Sequence, residues 1–306
     1  MQPFMDLIIS DNQCAFIRHR LISDNILLAH EIMHYLKTKQ RTKSHDMEIK
    51  LDMSKAFDRL EWPFVIASLN RMGFHPHFTE LILQCINSVS YSILIGGQPH
   101  GFFKPTRGLR QGDPLSLFLF VIAMEGFNQL LTHECNNGSL RGVQISRHSS
   151  PISFLFFVED VLIFCKAVVH QATILQSILN RFASFSGQQV NTSKSALYFS
   201  KHCPEHLRLS ISSLLSISKI GFDENKACFD FWWSAKPAPS WIQKSRATLH
   251  GDGEVSSAVV SSSTQVSAGK WVQEQFSTLM ALPGSHVRLS SLYVDRFNTL
   301  FGPCKL

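Results

Sequence analysis

Three acidic residues lie where predicted strands end or meet, and together they could carry out phosphoryl-transfer chemistry. Asp52 follows a strand predicted over 47–51, and Glu159 and Asp160 form the predicted tip of a hairpin much further along the chain. Two divalent cations about 3.5–4 Å apart can clamp the attacking and leaving oxygens of a phosphoryl displacement. Such hard cations need two or three carboxylates on rigid strands. Each acid by itself is more typical of a helix cap or a solvated turn.

The elements that must position these acids follow from periodicity and turn signals in the first 200 residues. Two apolar runs, 152–158 and 161–164, flank Glu159 and Asp160 as a hairpin. Because strands, hairpins and helices intermix, the predicted fold class is α+β. The other predicted strands are 47–51, 91–95, 102–104 and 141–145, and the predicted helices are 26–36, 62–72, 78–89, 113–133 and 170–186.

The periodic pattern weakens after about residue 200, which suggests three regions. Residues 1–200 form the predicted main domain. Residues 201–235 form a remnant region, with a helix predicted near 207–217. Residues 236–306 begin with a Pro- and Ser-containing linker and continue as a poorly patterned tail, for which disorder is an open alternative.

The composition excludes several classes of protein. The 306 residues include 24 Phe and 44% hydrophobic residues, so disorder along the whole chain is excluded. Seven cysteines without a CxxC pair argue against a zinc ribbon and for a reducing intracellular setting, either nuclear or cytoplasmic. No secretory leader is visible, and the longest apolar runs fall short of the ~18 residues that span a bilayer, so no membrane partner is expected. The net charge of +6 permits a polyanionic partner without requiring one.

Several long motifs occur in an order and spacing that resemble one family over residues 10–200, about two-thirds of the chain. On these motifs the chain is identified as a member of the reverse transcriptases of plant non-LTR (LINE-type) retrotransposons. The family's Phe-Ala-Asp-Asp hairpin is represented here by Phe-Val-Glu-Asp at 157–160. The matching segments are residues 13–17, 20–31, 50–62 (KLDMSKAFDRLEW), 107–116 (RGLRQGDPLS), 156–160 (FFVED) and 186–195 (SGQQVNTSKS).

The resemblance implies a catalytic site that uses two Mg²⁺ ions. Asp52 and Glu159 would be the main metal ligands, and Asp160 would assist them. Lys194 would approach the triphosphate and protonate the departing pyrophosphate. The reaction would be attack of a primer 3′-hydroxyl on a nucleotide α-phosphate, directed by an RNA template. Nearby, residues 191–193 match a glycosylation acceptor, which an intracellular protein would not use.

The resemblance also implies contacts with nucleotide and template. Phe57 would stand against the sugar 2′ position and favour deoxynucleoside triphosphates, although a core aromatic is the plainer interpretation. Arg110, Gln111 and Gly112 would lie against the nucleotide and the template, and Gly108 would allow close backbone approach. The expected partners are therefore an RNA template, a DNA primer and deoxynucleoside triphosphates, with the oligomeric state left open.

The hairpin departs from the family pattern at its metal ligand. Glu159 stands where the family has its first aspartate, and the extra methylene displaces the carboxylate by ~1 Å, which can cost on the order of a hundredfold in rate. Val158 replaces a small alanine and adds bulk where nucleic acid should pass. Asp160 matches the family but has the lesser role there. We therefore predict weak or no polymerisation.

The regions around the hairpin depart as well, so incomplete fingers and an incomplete thumb are expected. The chain begins partway into the family's fingers, without an upstream endonuclease domain, and His19 replaces a usual Gly. No primer-gripping turn is recognised after Phe199, and Leu117 replaces a usual Pro. Residues 230–233 resemble a tryptophan pair found further along in such elements, which suggests an internal deletion.

Three functional hypotheses follow. The first is a truncated, partly degenerate reverse transcriptase domain with a palm-like antiparallel sheet and impaired catalysis. The second is a palm remnant that binds nucleic acid without catalysis, with an affinity that depends on salt and not on magnesium. The third is the translation of a decayed element with no function. The two-metal assignment requires Asp52 and Asp160 to lie within ~10 Å of each other.

Overall fold

The computed structural model describes residues 1–146 and 149–221. Residues 1–69 and 83–221 belong to one compact unit, and residues 70–82 belong to a second, in which Phe74 stacks on Phe78. In chain order the elements are α1 (Gln2–Ile8), α2 (Ile22–Thr38), β1 (Asp46–Leu51), α3 (Ala56–Arg59), α4 (Trp62–Arg71), α5 (Pro76–Asn87), β2 (Tyr91–Ile95), β3 (Gln98–Phe103), α6 (Pro114–Asn136), β4 (Phe154–Phe157), β5 (Asp160–Lys166), α7 (Val169–Ser186), β6 (Ala196–Phe199), α8 (Glu205–Leu215) and β7 (Ile220–Gly221).

The main sheet has five strands in the order β4-β5-β1-β6-β7, and its pairs are antiparallel except for β6 and β7. The central strand β1 is buried on both faces. Met47, Ile49 and Leu51 lie on one face and are fully buried, while Asp46, Glu48 and Lys50 alternate with them on the other. The structure confirms the predicted α+β class with an antiparallel sheet.

The β4–β5 hairpin differs by one residue from its prediction. Phe157 pairs with Asp160, so the two-residue turn is Val158-Glu159 and Asp160 is the first residue of β5. Val158 has φ +53°, as the first position of a type II′ turn requires, although that conformation disfavours β-branched residues. The predicted tip at Glu159 and Asp160 is therefore wrong for Asp160. A buried acid at the start of a strand has no apolar signature in the sequence.

Helix α6 forms the centre of the helical layer. The Asp113 side chain caps its N-terminus by accepting a hydrogen bond from the Leu115 N–H at 3.2 Å, as predicted. With 23 residues and a mean hydropathy of 1.5, α6 is long and apolar enough to cross a membrane, but 72% of that apolar window is buried inside the protein. Burial of residues such as Phe120 and Phe127 accounts for its apolar composition.

Three further predictions have mixed outcomes. The strand predicted over 141–145 is wrong, because only Val143 forms an isolated bridge, to Ile152. His19 has φ +63°, which explains why glycine suits that position. The helix predicted near 207–217 is α8, whereas the aromatic cluster at 228–233 and the tail over 236–306 lie outside the described residues.

Candidate active site

The pairing of β1 with β5 sets two acids opposite each other. Leu51 pairs with Val161, the last pair of the ladder, and continuing that register by one residue places Asp52 opposite Asp160. Directly opposed residues of antiparallel strands have Cα atoms about 5 Å apart and side chains on the same face. Asp160 is buried at 3% exposure, and Asp52 is half-buried. The register thus agrees with the convergence that the two-metal hypothesis requires.

Glu159 occupies a different place from the one its implied role suggests. It lies in the turn, half-buried, so its carboxylate must reach the site from outside the strand ladder. Asp160, to which the resemblance assigns the lesser role, is the residue that opposes Asp52. Val158 is only 5% exposed, and its N–H donates to Gln13 Oε1 at 3.3 Å. Its bulk is covered by protein, so the expected obstruction of nucleic acid has no support in the structure.

The turn at 191–195, which directly precedes β6, contacts Asp52 and brings Lys194 close to it. The Asn191 N–H donates to the Asp52 carbonyl oxygen at 2.8 Å, and the Asp52 N–H donates to Ser195 Oγ at 3.2 Å. Burial raises the pKa of Asp52, while the Lys194 and Lys50 cations and a side-chain hydrogen bond from Asn191 oppose that rise. The predicted residues Asp52 and Lys194 are therefore electrostatic neighbours.

The loop at 107–116 is fixed against α3. The Gly108 N–H donates to the Leu60 carbonyl at 2.8 Å, and the Leu109 N–H donates to the Phe57 carbonyl at 2.8 Å. A Cβ atom at Gly108 would lie 2.7 Å from the Asp58 carbonyl oxygen, and φ is +85°, so only glycine fits there. This close packing connects the second motif with the first.

The segment at 186–195 contacts the same stretch from another side. The Glu61 N–H donates to the Ser186 carbonyl at 2.9 Å, and the Ser54 N–H donates to the Gln189 carbonyl at 2.7 Å. A Cβ atom at Gly187 would lie 2.5 Å from the Arg59 carbonyl oxygen. Two segments distant in sequence, 107–116 and 186–195, therefore converge on residues 52–61.

The predicted nucleotide-binding and template-binding residues lie around this convergence. Phe57 stacks on Phe120 of α6, with ring centroids 4.6 Å apart, and stays partly exposed. Both interpretations of Phe57, as a core aromatic and as a nucleotide contact, fit that position. Arg110, Gln111 and Gly112 are exposed on the loop that precedes α6.

The carboxylate oxygens of these acids are suitable ligands for a divalent cation, but the acids do not form a complete coordination shell. Across residues 1–146 and 149–221, no three His, Cys, Asp or Glu side chains are grouped to hold a metal ion. Mg²⁺ is usually bound through one or two carboxylates together with water and substrate phosphates. An opposed Asp52–Asp160 pair fits that mode, whereas a preformed three-carboxylate cluster with Glu159 is not found in the described part of the chain.

Two features of the described chain were not assigned by sequence reasoning. Asn191 and Ser195 contact Asp52 directly. The sequence feature that could have identified them is their position beside Lys194 in the last motif. A separate cavity of about 500 Å³ contains none of the predicted site residues and is lined by His30, Glu31, His34, Tyr35, Thr38 and Ile145.

Known proteins similar to this chain include two relatives and a solved structure. An uncharacterised mitochondrial protein of Arabidopsis thaliana is 36% identical over 106 residues, which cover 35% of this chain and 86% of that protein. The Pol polyprotein of the type-1 retrotransposable element R2 from Popillia japonica is 28% identical over 139 residues, which cover 44% of this chain and 22% of that protein. Apo telomerase from Candida tropicalis aligns at 16% identity and a TM-score of 0.44, over 63% of this chain and 37% of that one.

The family model described as reverse transcriptase (RNA-dependent DNA polymerase) matches residues 1–231, which include every element described above. That range also contains all the motifs on which the resemblance rests. The relatives from retrotransposable elements are several times longer than the segment they share with this chain, which spans only 22% of the Popillia japonica protein. The chain therefore belongs to the reverse transcriptase family, and it is similar to the Pol proteins of non-LTR retrotransposons.

Proposed function

We propose that this chain is the nucleotidyl-transfer domain of an intracellular RNA-directed DNA polymerase, acting on an RNA template, a DNA primer and deoxynucleoside triphosphates. The observation that carries the proposal is the opposed Asp52–Asp160 pair at the end of the central strands. Like charges directly opposite each other on neighbouring strands are destabilising, so a bound cation would stabilise this arrangement. Family membership makes nucleotidyl transfer the reaction in which that cation would take part.

Each residue of the site then has a definite task. Asp52 and Asp160 would hold Mg²⁺, which when bound stabilises charge on the attacking and leaving oxygens. The primer 3′-hydroxyl would lose its proton to solvent water, and its oxygen would form a bond to the α-phosphorus as the bond to pyrophosphate breaks. Lys194, close enough to Asp52 to act on its ionisation, would donate a proton to the departing pyrophosphate. Phe57, held against Phe120, would exclude a ribose 2′-hydroxyl by its bulk.

Impaired catalysis is part of this proposal. The Glu159 carboxylate reaches from the turn and is one methylene longer than aspartate, so its position relative to Asp52 differs from the family's geometry. A displacement of ~1 Å at a reacting centre can cost on the order of a hundredfold in rate. Glu159→Asp is expected to recover about that factor.

The test is primer extension on an RNA template with Mg²⁺, comparing the parent protein with Glu159→Asp and with Glu159→Asp/Asp52→Asn. We expect slow extension by the parent, about hundredfold faster extension by Glu159→Asp, and none by the double variant. Equal rates for parent and Glu159→Asp would show that Glu159 does not impair the site. Extension by the double variant would contradict the proposed role of the acid pair.

A second candidate is nucleic-acid binding without catalysis. The exposed cations Lys55, Lys104 and Arg110 favour it, because Lys55 directly precedes α3 and the other two lie between β3 and α6, in a connection that packs against α3 through Gly108 and Leu109. Binding through such cations should weaken as salt rises and should not require Mg²⁺. Fluorescence anisotropy with single-stranded RNA, for the parent and Arg110→Ala, tests it, with the exposed Arg41→Ala as the matched control.

A further inference from the structure

We propose that Asn191 is a positioning residue that holds the Asp52 carboxylate and the turn bearing Lys194 in one fixed arrangement. The inference rests on the proposed function, because it assigns Asn191 a role only if Asp52 and Lys194 act together. No role for Asn191 follows from its residue type alone, since asparagine is common in turns. The hydrogen bonds of the structure supply the reason.

The main chain of Asn191 is bonded to both partners. Its N–H donates to the Asp52 carbonyl oxygen at 2.8 Å. Its own carbonyl oxygen accepts from the Lys194 N–H at 3.1 Å and from the Ser195 N–H at 2.9 Å. Residue 191 is therefore the point at which the strand end and the lysine turn are joined.

The side chain of Asn191 uses both ends of its amide. Oδ1 accepts from Ser193 Oγ at 2.7 Å and from the Lys194 N–H at 3.4 Å. Because the oxygen faces the turn, the amide nitrogen is the end that hydrogen bonds with the Asp52 carboxylate. The same hydrogen bond occupies the Asn191 amide nitrogen, which is the atom that a glycan would modify in the 191–193 glycosylation pattern.

Ser195 closes the arrangement. Its hydroxyl accepts from the Asp52 N–H at 3.2 Å and donates to the Asn191 carbonyl at 2.9 Å, and the residue is fully buried. Asp52, Asn191 and Ser195 are thus connected pairwise by hydrogen bonds. This ring fixes the Asp52 main chain, and the Asn191 side chain adds the contact to the carboxylate itself, as the groups that support functional carboxylates must.

The substitution Asn191→Asp distinguishes a role in positioning Asp52 from a role in stabilising the local turn alone. An aspartate keeps the oxygen that accepts from Ser193 and Lys194, so it preserves the turn. It has no N–H₂ group to donate to Asp52, and it adds a second negative charge beside it. Asn191→Ala loses both functions of the side chain, and Thr192→Ala, at an exposed neighbouring position, serves as the control.

Extension kinetics in the Glu159→Asp protein give the first readout. We expect Asn191→Asp to lower kcat about tenfold or more, with little change in KM for the nucleotide and an unfolding midpoint lowered only slightly by the added charge. Thr192→Ala should match its parent. If Asn191→Asp had the same kcat as the Glu159→Asp protein, Asn191 would be only a turn residue and the proposal would be wrong.

Binding of Mn²⁺, followed by electron paramagnetic resonance without nucleotide or primer, gives a readout independent of activity. We expect Asn191→Ala to weaken Mn²⁺ binding about tenfold and Thr192→Ala to leave it unchanged. If Asp52→Asn weakens binding and Asn191→Ala does not, Asn191 does not position Asp52. If neither substitution changes Mn²⁺ affinity, the proposed acid site itself fails.

Discussion

The two ends of β1 each carry an aspartate on the same face of the sheet, and their surroundings differ. Asp46 is fully buried and pairs with the ammonium groups of Lys39 and Lys166, the latter at 2.7 Å, and with the Tyr35 hydroxyl at 3.1 Å. Asp52 is half-buried, and its cross-strand neighbour in the same register is another acid, Asp160. The antiparallel register therefore puts opposite charges together at one end and like charges together at the other.

This difference separates an acid that the chain itself neutralises from the acid that we propose takes part in chemistry. At Asp46 the protein supplies its own cations, as a buried carboxylate requires. At Asp52 the compensation from Lys194 and Lys50 does not outweigh burial, and the pKa is raised. Incomplete neutralisation by the chain is what the proposed cation site requires.

Glu48 lies between these ends on the same face and represents a third case. It is 1% exposed, and Oε2 has no hydrogen-bond partner within residues 1–146 and 149–221. Burial raises its pKa to about 8, and only Lys50 opposes the rise. Glu48 is therefore held in its neutral form at neutral pH. Of the acids on this face, it is expected to cause the largest change in the free energy of unfolding.

We predict that Glu48 makes the protein less stable as the pH rises. Its carboxyl has a pKa of about 8 in the folded protein against an ordinary value of 4.5, so the folded state keeps the proton to a higher pH. The contribution to stability is complete below the unfolded pKa and is lost as the pH rises towards 8, by up to roughly 4 kcal/mol. Urea unfolding of the parent and of Glu48→Gln between pH 5 and 8 measures it. Parallel pH profiles of the two proteins would show that Glu48 ionises normally.

Removing the charge of Asp46 should give the next largest effect. Asp46→Asn leaves Lys39 and Lys166 without their shared carboxylate, and we expect a loss of about 3 kcal/mol in the free energy of unfolding. The estimate is at the lower end for buried ion pairs because the Lys166 side chain is 29% exposed and can turn towards water. Chemical denaturation, with the exposed Asp6→Asn as control, measures the loss. A loss no larger than that of the control would remove the contrast between the two ends.

Much of this arrangement could be predicted from local sequence. The alternation over 47–51 identified β1, and Asp113 with Pro114 identified the start of α6, because period and capping are short-range signals. The motifs identified Asp52 and Lys194 by resemblance. These predictions needed no knowledge of which segments meet in space.

The remainder depended on long-range pairing. Hydrophobicity assigns Asp160 to a turn, yet the β4–β5 register places it inside a strand and opposite Asp52. Sequence rules for burial tend to fail where an acid is kept for function. The hydrogen bonds that Asp52 makes with Asn191 and Ser195 join residues about 140 positions apart, which no local pattern can indicate.

Neutralising Asp52 should change the free energy of unfolding least of the three acids. The change should be a gain, whereas neutralising Asp46 should cause a loss. Asp52→Asn removes a half-buried charge from beside Asp160, so we expect the free energy of unfolding to rise by about 0.5 kcal/mol at pH 7. The gain should shrink as the pH falls, because the raised pKa of Asp52 brings the wild-type residue to its neutral form earlier. Denaturation of both proteins at pH 7 and pH 4 measures the difference. A clear loss of stability would place Asp52 with Asp46 among the acids that hold the fold together, whereas a gain combined with lost primer extension is the behaviour of an acid kept for catalysis.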